Sequence, residues 1–189
     1  MRDVFLYSPA IFFDQDGTLN KWRWIDINLV RKNGYFRTVE PHKNVINASC
    51  IISLMGIPVG TYGAAWLDDG HSVIDKDWWM DKFVSHIERQ DRVYVPCGSE
   101  KASYFTEKVG RRITRGDILI DDCSDVLRSW ESFGGTGIKV YTAENGRHGT
   151  WNGFSFKESM PAQLIAEYIM YVQKISAVED FKMLLAAGM

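Results

Sequence analysis

The 189-residue chain is poor in cysteine, proline and histidine, and these scarcities each close off a class of protein. Cys50, Cys97 and Cys123 are odd in number and widely spaced. They form neither a disulfide framework nor the short pairs of a zinc site, so free thiols in a reducing cytoplasm are expected. His42, His71, His86 and His148 share no metal-ligand spacing, which argues against zinc and leaves them surface or capping duties. No run reaches the roughly 18 apolar residues that span a bilayer. The N-terminal MRDVFLYSPA has an early Asp and no small-residue cleavage site, so a soluble, unexported, cytoplasmic protein is expected. Charges nearly cancel, 22 Lys and Arg against 24 Asp and Glu, and no basic run is long enough to capture a nucleic-acid backbone. Internal repeats and low-complexity tracts are also lacking.

What the chain does have is 46% hydrophobic residues, ample to pack one core in one domain spanning 1–189. Short apolar runs alternate with segments of helical period, the pattern of a parallel sheet covered by helices. The runs are Ile11–Phe13, Ile57–Tyr62, Val93–Val95, Ile118–Ile120 and Ile138–Tyr141. Pro58 weakens the second, because proline cannot donate to a ladder. Between them, Val45, Ala48, Ile52 and Met55 predict a helix over about 42–55, and Met80, Phe83, Val84 and Ile87 predict another. A helix from Ser99 to about Val109, one carrying Val126, Leu127 and Trp130, and one from Ala162 to Val172 complete an α/β, three-layer, Rossmann-like fold. Residues 143–153 read as turn. Residues from about 20 to 41 break the alternation and predict a small cap inserted after the first strand.

The strongest chemical signal is the strand that runs into Asp14-Gln15-Asp16-Gly17-Thr18-Leu19. In an extended chain residues i and i+2 face the same way, so Asp14 and Asp16 converge, and paired carboxylates call for a cation such as Mg²⁺. The plainer reading is a solvated turn. A second pair, Asp121-Asp122, closes the run at Ile118–Ile120, and sites in open α/β sheets form at the carboxyl ends of strands, so the four aspartates are expected to meet. Alternatively, Asp122 caps the helix that begins near Ser124.

These motifs, with Lys101 at a helix start between them, resemble the haloacid dehalogenase-like (HAD) hydrolase superfamily. The blocks Gly34–Ala48, Val95–Phe105, Asp117–Val140 and His148–Phe154 are similar to its 5'(3')-deoxyribonucleotidase subgroup (cytosolic type C) in bacterial and phage proteins. The resemblance implies a Mg²⁺-dependent phosphomonoesterase acting on a small-molecule phosphate monoester, a 5'-nucleotide. It makes Asp14 the nucleophile that forms an aspartyl phosphate and Asp16 the acid and base. Lys101 would be the phosphoryl-binding cation. Mg²⁺ would be held by Asp14, the Asp16 carbonyl and Asp122, with Asp121 close behind. The family's second motif ends a strand in Ser or Thr, and here Gly63 takes that place. Thr61 would stand in if the strand ends early, or the N–H groups of Gly63 and Ala64 would bind phosphate unaided. The alternatives are a catalytically weakened protein that binds nucleotide and metal, or a phosphatase of another small phosphometabolite. Trp22, Trp24, Tyr35 and Phe36 in the insertion would stack a base or pack the insertion on the core, and Trp66, Trp78 and Trp79 are expected in core or rim.

Overall fold

A computed structural model describes residues 5, 8–22, 27–143 and 151–186. Trp24, His148 and residues 144–150 of the turn-rich stretch lie outside the described residues. In chain order the elements are β1 (Ile11–Phe13), α1 (Ile27–Val30), a 3₁₀ turn (Phe36–Thr38), α2 (Lys43–Leu54), β2 (Val59–Ala65), α3 (Ser72–Phe83) and β3 (Arg92–Pro96). There follow a 3₁₀ turn (Lys101–Tyr104), α4 (Phe105–Val109), β4 (Ile118–Asp121), α5 (Ser124–Ser132), β5 (Thr136–Tyr141), β6 (Phe154–Lys157) and α6 (Ala162–Ala186).

The six strands form one parallel sheet in the order β3-β2-β1-β4-β5-β6. The central strands are buried on both faces, which is why β1 and β4 read as unbroken apolar runs rather than alternating ones. On one face, Ile11, Phe13, Ile118 and Ile120 pack under Val45 and Ile52 of α2, Trp79 and Met80 of α3, and Ile165 and Ile169 of α6. On the other, Phe12, Tyr62, Phe105 and Trp130 make a ring cluster with centroids 5.3 to 6.3 Å apart. That cluster anchors the 101–109 segment against the sheet. Among the described residues no helix is long and apolar enough to cross a membrane.

Several boundaries differ from expectation. β2 spans 59–65 rather than 57–62: Ile11 N–H donates to Pro58 O, so the proline only accepts, and the strand starts behind it and runs beyond Gly63. α3 stops at Phe83, and Ile87 is buried in a turn that follows. β6 was not expected, and α6 continues fourteen residues past Val172. His42 precedes α2 without capping it through its side chain and is buried, not on the surface. Trp79 is fully buried while Trp78 is exposed at the rim. The three cysteines are free.

Candidate active site

The chain runs outward from β1 through β2 to β3, then returns to β4 beside β1. That reversal opens a crevice at the carboxyl ends of β1 and β4, where open α/β sheets bind ligands. Asp14 follows β1 and donates its N–H to Ile120 O at 2.8 Å; Asp121 ends β4. Lys101 enters from the 3₁₀ turn, where Tyr62 Oη donates to its carbonyl at 3.2 Å. Its ammonium donates to Asp14 Oδ1 at 2.5 Å and to Asp121 Oδ2 at 2.7 Å. All three side chains are buried.

Burial works against the charge of Lys101, but the two carboxylates outweigh it and raise its pKa above the ordinary lysine value. Burial also pushes the Asp121 carboxyl up to about 6, against the pull of Lys101 and with a further push from Asp14. The Cys123 N–H donates to Asp121 Oδ1 at 2.8 Å, so both oxygens of Asp121 are engaged. Asp122, half-buried, stands beside Gly17, whose φ of +78° carries the chain past it. A Cβ on Gly17 would come within 2.5 Å of Asp122 Oδ2, so only glycine permits this approach. One oxygen from each of Asp14, Asp121 and Asp122 lies within 4.8 Å of the others. Three hard anionic donors at such spacing fit Mg²⁺.

Asp16 departs from the expected convergence. The chain is extended only to Asp14, and residues 15–20 close a tight loop in which the Leu19 and Asn20 N–H groups both donate to Gln15 O. The Asp16 carboxylate is therefore not part of the three-aspartate group. Its Oδ1 accepts from Asn20 Nδ2 at 3.2 Å, and its Oδ2 accepts from the ammonium of Lys76. Burial raises the Asp16 pKa, Lys76 opposes that, and the charge on Asp14 adds to it.

Lys76, on α3, was missed in the sequence because Asp75-Lys76-Asp77 looks like a solvated face. The signal was its spacing: it lies three and four residues before Trp79 and Met80, on the buried stripe of the helix. Asn20 was missed as well, since an Asn after a turn carries no chemical mark; its Oδ1 accepts the N–H groups of Gly17 at 3.2 Å and Trp22 at 3.0 Å.

Gly63 does stand beside Asp14, for a Cβ there would lie 3.4 Å from Asp14 Oδ1. Thr61 does not: β2 runs on to Ala65, so the early end that would bring its hydroxyl forward is absent. Thr61 pairs with Phe13 in mid-sheet, and its Oγ1 is buried without a partner. The two proposed backbone donors also separate. Pro58 O faces β1 and Ala65 O accepts from Cys97 in the segment after β3, so backbone groups of even-numbered residues face β1 and of odd-numbered ones face β3. Gly63 N–H thus points toward β3, and Ala64 N–H toward the β1 side of the strand, where Asp14 lies. In the insertion, Phe36 is buried against Trp66 with centroids 6.2 Å apart.

No protein-family model and no curated protein matches the chain. Among solved structures, a Mesorhizobium loti protein described as a putative HAD-like phosphatase is similar to this chain over 88% of this chain and 86% of its own. The TM-score is 0.53 at 12% identity. A likeness at that identity is one of fold, and the chain has the HAD-like, Rossmann-like α/β fold.

Proposed function

We propose that the chain is a Mg²⁺-dependent phosphomonoesterase that works through an aspartyl phosphate. The observation that carries this reading is the Asp14–Lys101–Asp121 group, with Asp122 beside it, at the switch point of a HAD-like sheet. A bare carboxylate repels a phosphate dianion; Mg²⁺, which Asp14, Asp122 and the Asp16 carbonyl would hold with Asp121 beside them, would supply the charge that offsets this. Asp14 attacks phosphorus as the bond to the ester oxygen breaks, and Asp16 gives that oxygen its proton. Asp16, now a carboxylate, takes a proton from water, whose oxygen attacks the aspartyl phosphate; inorganic phosphate leaves and Asp14 is restored. Lys101 pairs with the phosphoryl oxygens and with Asp14, and Ala64 N–H supplies a neutral donor.

The substrate proposed is a nucleoside 5'-monophosphate, a deoxyribonucleotide in particular, on the strength of the sequence resemblance. The 20–41 segment acts as the cap, and the protein works in the cytoplasm. Gly63 favours a second reading: without a hydroxyl at that position, the chain would bind nucleotide and metal with weakened turnover.

The test is phosphate release from a panel of nucleoside and deoxynucleoside monophosphates, sugar phosphates and an aryl phosphate, with Mg²⁺ and with chelator. Metal-dependent release that Asp14→Asn abolishes is expected. No release from any ester, with Mg²⁺ still raising the melting temperature, overturns the enzyme in favour of the binding protein.

A further inference from the structure

We infer that Lys76 is a positioning residue that aims Asp16 at the ester oxygen, and that the insertion in turn sets Lys76; this rests on the phosphatase reading above. An ammonium almost wholly removed from water is tolerated only when its N–H groups find acceptors. Lys76 is 1% exposed. It donates to Asp16 Oδ2 and to Ala64 O at 2.7 Å, and it sits 4.5 Å from the centroid of the Phe36 ring. Carboxylate, carbonyl and aromatic face thus surround it. Asn20 holds the other Asp16 oxygen, so the carboxylate is gripped at both ends.

The neighbouring residue does the corresponding work for the insertion. Asp75, also buried, accepts the Gly34 N–H at 2.5 Å and Arg37 Nε at 2.6 Å. Phe36 lies between those two contacts in sequence and covers Lys76. One peptide of α3 therefore joins the turn at 34–37 to the acid and base: Asp75 seats the turn, the turn seals Lys76, and Lys76 directs Asp16. A loosened turn lets water reach the ammonium, and Asp16 loses its fixed bearing.

Two esters that differ only in what the leaving oxygen needs separate this role from a merely structural one. An alkyl phosphate must receive a proton as it departs; dinitrophenyl phosphate departs without one. With Lys76→Met, kcat on the alkyl ester is expected to fall by about 100-fold, the lower end of what a positioned acid contributes. KM should change little. On dinitrophenyl phosphate the same variant should release one dinitrophenolate per chain rapidly and then turn over slowly, because attack by Asp14 survives while hydrolysis still needs Asp16. Lys76→Arg should recover part of the alkyl-ester rate, and Phe36→Leu and Arg37→Gln should move in the direction of Lys76→Met by smaller factors. Should Lys76→Met not fold, judged by circular dichroism, the two insertion variants decide by the same comparison. Equal loss on both esters with no burst, or wild-type rates on both, overturns the inference. A wild-type protein inactive on both esters instead overturns the phosphatase reading and takes the inference with it.

Discussion

Position 63 is where a single residue has most to add. The 3.4 Å from its virtual Cβ to Asp14 Oδ1 is ordinary contact, so a serine can be built there without moving the strand. Gly63→Ser is expected to raise kcat by about tenfold or more, since one donor at such a site is worth on the order of 10²-fold; steady-state phosphate release measures it. Asp14, Asp121 and Asp122 were legible because two acidic pairs close apolar runs in one chain, and Lys101 through its place between them and the family resemblance. Asp16 was legible as a residue but not in its direction, because the i, i+2 argument holds only while the chain stays extended, and residues 15–20 turn instead. Lys76 was illegible for another reason: burial of a cation depends on what the rest of the fold brings to it, here Asp16 from sixty residues away and Phe36 from forty.

At the level of elements, the amino end of β4 is tied by Asp117, which is fully buried. It accepts Arg111 through both oxygens at 2.6 Å, the Ala10 N–H at 3.0 Å and the Thr114 N–H at 2.8 Å. Asp117→Ala strands the Arg111 charge and the amide before β1, and urea unfolding should show a loss of about 3 kcal/mol or more. His86, in the loop after α3, meets α2 through Ser49 Oγ at 2.8 Å, and burial depresses its pKa below 6.5. The unfolded chain therefore takes up a proton near pH 6.5 while the folded one does not, so stability is lost as pH falls below that point. Melts at pH 7.5 and 5.5 should differ less in His86→Gln than in wild type. The strands β1 and β4 were plain in sequence because buried parallel strands are apolar in unbroken runs, and β5 showed through Ile138 and Val140 on either side of its buried Lys139. β6 is an edge strand whose Phe-Ser-Phe-Lys alternation was present but hidden behind a glycine-rich turn. The last helix was cut short because its buried stripe, 165, 169, 172, continues at Ser176, a polar residue in an apolar place.

For the whole molecule, the proposed metal would be linked to the fold. If the three aspartates bind Mg²⁺ only when assembled, a concentration a hundred times Kd stabilises the native state by about 2.7 kcal/mol. Differential scanning calorimetry with and without Mg²⁺ should show that shift in wild type and a smaller one in Asp122→Ala. The charges of the crevice then acquire an arithmetic of their own. Asp16 is matched by Lys76 outside the metal group, so the balance falls on Asp14, Asp121 and Asp122, three carboxyls touched by the one ammonium of Lys101 and left with an excess of negative charge. A divalent ion offsets more of that excess than potassium or sodium does. A preference for valence is thus built into the clustered carboxyls, ahead of any fit of ion size.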